Sequence, residues 1–233
     1  MATSCVSMET VALSKSLGND IYAYLQTRLL MPRIAALGTL VLLAAWCHSV
    51  PQSLPPHWGH ALIDMLLAAL LLAQFRIWDD LADVPIDRRV DPNRTLCTTL
   101  HRKAFQLIVI GLATTAAGLL VSTADPAAPG LLGGLTLLMV CWYWFPPRSS
   151  WSGLNYHVVL LKYPAFILLI DSRRAPLSGD TTILQTIVGV YLLLCVFEVC
   201  HDRMLRQRTR FRLVAGVEAC LLLCVAFTTG LLP

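Results

Sequence analysis

The chain has 233 residues, of which 56% are hydrophobic and 14% charged, with a mean hydropathy of +0.65. Soluble domains carry about 25% charged and about 45–50% apolar residues, so this composition excludes an ordinary water-soluble fold and points to lipid as the solvent. The formal net charge of +4 follows membrane sidedness, as set out below, and does not argue for nucleic acid.

Residues 1–30 carry Glu9, Lys15 and Asp20, with no long apolar run and no small-residue cleavage site. They do not read as a secretory signal. They are expected to form a cytoplasmic lead-in, amphipathic or partly ordered, before one membrane domain over 31–233. Seven apolar stretches follow, at 34–50, 59–77, 104–122, 130–146, 156–170, 182–200 and 213–232. Most reach the length needed to cross about 30 Å of hydrocarbon as helix. Backbone polar groups find no water there, so the spans must be helical. The fifth is short and holds Lys162 and Pro164. The links are short and rich in Pro, Gly and Ser, as at Pro51–Pro56 and Asp125–Gly130. The expectation is an all-α, polytopic transmembrane bundle of about seven helices, without an internal repeat.

Eight cysteines occur, none in a CxxC pair and most inside apolar stretches. They read as small buried hydrophobes, and neither a disulfide framework nor a zinc site is expected.

Basic residues set the orientation. With the N-terminus in the cytoplasm, 15 of the 18 Lys and Arg fall on the cytoplasmic side, Arg173 and Arg174 fall opposite, and Lys162 lies within the fifth stretch. Basic loops of this kind also suit contact with anionic lipid.

The most informative segment directly follows the second stretch. It reads Asp79-Asp80-x-x-Asp83-x-x-x-Asp87, and continues through Arg88, Arg89 and Asp91 to Pro92-Asn93-Arg94. On a helix, Asp80 and Asp87 lie about 20° apart and Asp83 about 60° from Asp80, so three carboxylates share a face. Pro85 is expected to end or bend the helix. Clustered carboxylates repel one another unless a cation joins them. Mg²⁺ takes such hard oxygen ligands together with phosphate oxygens and waters. Neighbouring guanidinium groups grip phosphates in bidentate fashion. The combination describes a diphosphate site. The plainer account is a charged loop capping a membrane helix, but a cytoplasmic loop favours Arg and Lys over a run of Asp.

This segment resembles the first signature of the UbiA family of membrane prenyltransferases, N-D-x-x-D-x-x-x-D between the second and third helices, with Asp79 in place of Asn. Three weaker matches follow the family's order. Arg28-Leu29-Leu30-Met31-Pro32 resembles its opening R-L-x-x-P. Tyr143-Trp144-Phe145-Pro146-Pro147-Arg148, with Asn155 after it, resembles its Y-x-x-P-P…N passage. Glu198-Val199-Cys200-His201-Asp202 falls where its second acidic signature belongs. The resemblance runs from about residue 25 to about 210.

It implies transfer of a prenyl group from a polyprenyl diphosphate to a small, often aromatic, acceptor within the membrane. It implies Mg²⁺ held by Asp79, Asp80, Asp83, Asp87, Glu198 and Asp202. Asp80, Asp83 and Arg94 would carry the chemistry. Arg28, Arg88, Tyr143, Asn155, Lys162 and Arg203 would meet diphosphate or prenyl chain, with Tyr143 and Trp144 placed to shield an allylic cation. The alternatives are a terpene cyclase on the same scaffold, or a catalytically degenerate scaffold that binds a lipid or protein partner.

The sequence also departs from the family. After Asp202 the stretch Arg203 to Arg210 is cationic where the family is acidic, leaving a working second site and a degenerate one equally open. The chain stops after about seven helices where the family has nine, and the missing wall calls for a homo-oligomer or another partner, or else marks loss of catalysis. Lys162, an ionisable residue within a span, reads either as a diphosphate ligand or as a side chain snorkelling to the interface. Asp64 is expected near the non-cytoplasmic end of the second stretch, within reach of water. Glu218 is expected to pair with a basic residue of the adjoining loop. His157 reads as structural. His201, in the place of a family Lys, contacts phosphate only when protonated.

Overall fold

The computed structural model describes residues 16–49, 58–144, 155–177 and 181–228, and their regular structure is helical throughout. Ser16 opens α1 (Leu17–Tyr24), its hydroxyl accepting from the Asn19 N–H at 3.3 Å. The helix passes into a wider π turn over Leu25–Leu29. It then bends by 63° into α2 (Pro32–Ser49), where Pro32 takes the first position and its missing N–H costs nothing. The chain continues through α3 (Trp58–Val90), α4 (Thr95–Thr98), α5 (Arg102–Thr123) and α6 (Ala128–Trp144). It ends with α7 (Asn155–Leu160), α8 (Lys162–Asp171), α9 (Thr181–His201), α10 (Arg203–Gln207) and α11 (Thr209–Thr228).

By length and apolarity, α3, α5 and α9 can each cross a membrane, and the bent α1–α2 pair makes a fourth if it is one span. Helix α6 is equally apolar but shorter, at 17 residues. Large apolar side chains on the outer faces of α5 (Leu107, Ile110, Val121) and α11 (Leu213, Val217, Phe227) are exposed, as lipid-facing surfaces require. The cysteines follow this rule rather than the expected one. Cys47, Cys141, Cys200, Cys220 and Cys224 sit on outer surfaces, Cys97 is half-buried, and Cys195 is buried. Lipid makes the outer surface as tolerant of a thiol as the interior.

Helix α3 has 33 residues, about 50 Å at 1.5 Å per residue. Its apolar part, Trp58 to Trp78, accounts for about 30 Å, so the aspartate motif rides on the part left over. The helix runs on through Pro85, where the sequence predicts an end or bend. Pro85 removes one hydrogen bond, but it is exposed at the polar end of the helix, where a freed carbonyl can meet water.

The fifth apolar stretch is two short helices, α7 and α8, separated at Leu161. Pro164 explains the break. It has no N–H for the carbonyl of Leu160, and proline is accommodated in the first turn of a helix. Helix α8 is the centre of the molecule, packing on α2, α3, α6 and α9. Phe166, Ile167, Leu169 and Ile170 are fully buried, and a helix apolar on all sides belongs inside. Around it the core draws on Val41 and Ala45 of α2, Leu67, Leu71 and Phe75 of α3, Leu120 of α5, Met139 of α6 and Ile187 of α9.

At the pole opposite the motif, Asp64 is fully buried, not within reach of water as expected. Arg173 and Arg174 both pair with it. Trp46 donates to it from Nε1 at 3.0 Å, and Arg173 also donates to Thr123 Oγ1 at 2.9 Å. Arg174 lies over the Trp46 ring at 5.3 Å. The two arginines assigned to this side thus tie α2, α3, α5 and the end of α8 together. Ahead of residue 31, Tyr24 is buried with Ile77, Val84, Leu96 and Phe105.

Candidate functional site

The polar end of α3 brings its charged side chains to a cavity of about 910 Å³. Helical spacing sets Arg76, Asp79, Asp80 and Asp83 along one flank, and all four line it. The other walls are Arg28 from the π turn, Arg89 and Arg94, Trp142 and Tyr143 at the end of α6, Tyr156 of α7, and Glu198 of α9. The acidic motif therefore faces the residue expected from the sixth stretch.

Four of the aspartates have identifiable partners. Asp80 is buried; it accepts from the Tyr24 hydroxyl at 2.8 Å and pairs with Arg76 at 3.4 Å and Arg28 at 3.8 Å. Asp79 pairs with Lys162 and accepts a hydrogen bond from the Tyr143 hydroxyl. Asp87 is buried and pairs with Arg94, whose Nε also lies 3.5 Å from Asp91. A small adjoining pocket, lined by Tyr24, Arg28, Asp80, Asp87 and Arg94, connects the two pairings. Four carboxylates (Asp79, Asp80, Asp83, Glu198) and four guanidinium groups (Arg28, Arg76, Arg89, Arg94) line the cavity, with Lys162 and Asp87 behind them. The formal charges balance.

Two of the guanidinium groups are incompletely used. Nε of Arg76 and Nε of Arg94 are buried with no hydrogen-bond partner among the described residues. A buried donor without a hydrogen bond is costly; Arg94 Nε has the Asp91 carboxylate at ion-pair distance, and Arg76 Nε has no such neighbour among these pairings.

Among the described residues no three acidic side chains bring ligand atoms within 4.8 Å of one another. The aspartates are not a ready-made metal cage. They fit the way Mg²⁺ is commonly held, by one or two protein carboxylates with phosphate oxygens and waters completing the shell.

The predicted residues divide accordingly. Asp79, Asp80, Asp83, Arg28, Arg94, Tyr143 and Glu198 line the cavity, and Lys162 reaches it through Asp79. Lys162 neither snorkels nor meets the cavity directly; it is buried. Arg88 is exposed, and its neighbour Arg89 lines the wall instead. Trp144 is 82% exposed, and Trp142 takes the place expected of it. Asp87 serves as partner to Arg94 rather than facing the main cavity. Asp202 lies past the end of α9 and does not line the cavity. The side chains of Asn155 and Arg203, and the stretch 145–154 with Pro146, Pro147 and Arg148, lie outside the described residues.

Sequence reasoning missed Tyr24, Arg76, Arg89 and Tyr156. Arg76 carried a local signal, since it stands four residues before Asp80 on one helix. Tyr24 carried none, being 56 residues from its partner.

Compared with family models, curated proteins and solved structures, the chain matches none.

Proposed function

We propose that this protein is a membrane enzyme that transfers a prenyl group from a polyprenyl diphosphate to a small acceptor, with Mg²⁺. One observation carries the reading: Asp79, Asp80 and Asp83 of α3 share a cavity with Glu198 of α9 and four arginines, at one end of an apolar bundle. We further read the chain as a bundle of about seven spans on the UbiA plan, with the N-terminus and this cavity on the cytoplasmic side.

In this reading one or two of Asp80, Asp83 and Glu198 would hold Mg²⁺, with phosphate oxygens and waters completing the shell, and the ion would stabilise negative charge on the leaving diphosphate. The side chains do the rest. Arg76 and Arg94, which line the cavity, pair with diphosphate oxygens, where charge grows as the allylic C–O bond breaks with its electron pair leaving on oxygen. Arg28 and Arg89 add charge from the facing walls. Tyr143 and Trp142 present aromatic surface to the allylic cation. The acceptor's electron pair then forms the new bond, and its displaced proton passes to the released diphosphate. Asp79 is a positioning residue, since Lys162 and Tyr143 occupy it.

A second reading, a scaffold that binds a prenyl diphosphate without turnover, is favoured by the pairing of the lining carboxylates with arginines and Lys162. One assay separates the two. Purified protein in detergent is given labelled prenyl diphosphates, and Mg²⁺-dependent diphosphate release is followed with and without aromatic acceptors. Asp80→Ala and Asp83→Ala are each expected to lower release by at least about 100-fold. Binding with no release at any chain length would establish the scaffold reading. Release that survives both substitutions would reject this site, and release without any acceptor would mark a cyclase.

A further inference from the structure

A second cluster lies beside the cavity, on the far side of Tyr156. His157 of α7, Cys195 of α9 and Glu218 of α11 place one ligand atom each so that all three atoms lie within 4.8 Å of one another. His157 Nδ1 is 3.5 Å from Cys195 Sγ and 3.5 Å from Glu218 Oε1. Tetrahedral Zn²⁺, with Zn–N and Zn–O near 2.0–2.2 Å and Zn–S near 2.3 Å, gives ligand-to-ligand edges of about 3.4–3.6 Å. The two distances match those edges.

The surroundings point the same way. One ring nitrogen has a thiol, a carboxylate and the Tyr191 hydroxyl (3.3 Å) crowded around it, yet a single nitrogen makes one good hydrogen bond at a time. The Tyr191 hydroxyl has its own acceptor, the His157 carbonyl at 3.2 Å. Cys195 is fully buried, and Glu218 is 6% exposed with Oε2 meeting no hydrogen-bond partner among the described residues. A carboxylate buried on an apolar helix with one oxygen unanswered is costly. A cation shared by the three groups removes that cost.

We infer that His157, Cys195 and Glu218 form a site for a borderline divalent transition metal of the Zn²⁺ class, fixing α7, α9 and α11 together. Nitrogen, thiolate and carboxylate in one set select such a metal over Mg²⁺ or Ca²⁺. Three protein ligands leave a fourth position for water. The site is independent of the proposed prenyl transfer. Its nearest link to the cavity is Tyr156, whose ring centroid lies 4.0 Å from that of His157 and which lines both places.

The test uses the full-length protein in detergent, stripped with chelator and titrated with Co²⁺ alone. Wild type is expected to bind one Co²⁺ per chain, with a thiolate-to-cobalt charge-transfer band that Zn²⁺ abolishes by displacement. Cys195→Ser is expected to lose the band, and Glu218→Gln to keep it at saturation while weakening binding by at least about 10-fold, since even the outer-shell partners of metal ligands carry about 10–100-fold. Cys200→Ser, on an outer surface, is expected to change neither. Absence of the band in wild type, its survival in Cys195→Ser, or an affinity unmoved by Glu218→Gln would each overturn the assignment. Should Cys195→Ser fail to purify as a single species, the wild-type spectrum and the Glu218→Gln affinity decide.

Discussion

Lys162 shows how a single side chain changes meaning between sequence and structure. An ammonium inside an apolar stretch invites two readings, a ligand for phosphate or a chain that snorkels to the headgroups. The structure gives a third: Lys162 is 2% exposed and is spent on Asp79. A buried pair adds little net stability, because desolvation offsets the attraction, but breaking it leaves an unanswered charge. Lys162→Met is therefore expected to destabilise the protein by about 3–5 kcal/mol, while Lys162→Met with Asp79→Asn recovers most of that loss. Thermal unfolding in detergent measures both, and a single variant as stable as wild type would dissolve the pair. The reason this was not legible is distance along the chain. Asp79 and Lys162 are 83 residues apart, and Tyr24 and Asp80 are 56 apart. The carboxylates themselves were legible because their spacing on one helix is local. The His157, Cys195 and Glu218 set was invisible for the same reason as Lys162, with one ligand on each of three helices.

At the scale of elements, two prolines had opposite outcomes. Pro164 breaks the fifth stretch into α7 and α8, whereas α3 continues through Pro85. The difference is solvent. A freed carbonyl at the polar end of α3 has water near it; within the bundle the chain ends one helix and begins another, so that proline falls in a first turn. Close packing of elements gives a sharper test. A Cβ built on Gly38 of α2 would come within 3.1 Å of Leu72 Cδ1 on α3. That methyl is the far end of a flexible side chain, so Gly38→Ala is expected to stay within about 1 kcal/mol of wild type, the helix-propensity gain offsetting the contact. Gly38→Leu is expected to cost about 1–3 kcal/mol by overpacking. Denaturant or thermal titration in detergent reads the order of the three; equal stability of Gly38→Leu would show that α2 and α3 do not approach so closely.

For the whole molecule, hydropathy marked an all-helical chain, since lipid leaves the backbone few choices, but three helices, or four with the bent pair, are long and apolar enough to span among the described residues, where the sequence predicts about seven. The arrangement of those helices was not legible. Nothing in an apolar periodicity announces that the ten-residue α8 would occupy the centre, or that Arg173 and Arg174 would turn inward to Asp64. The proposed orientation has a direct check. Thr98 and Ser122 are both exposed and stand beside opposite ends of α5. In a cysteine-free background, a membrane-impermeant maleimide added to intact cells is expected to label Ser122→Cys and to spare Thr98→Cys until the cells are broken. The reverse pattern would invert the topology.

The matched set of carboxylates and guanidinium groups has one more consequence, for how a ligand arrives. With four carboxylates and four guanidinium groups interleaved around it, the cavity's lining has no excess of either sign. Long-range steering of an anion from the aqueous phase, which depends on an excess of one sign, would then rest on the basic loops around the cavity rather than on its lining. In the proposed function, a prenyl diphosphate arriving sideways within the leaflet would meet these charges only once its headgroup is already among them.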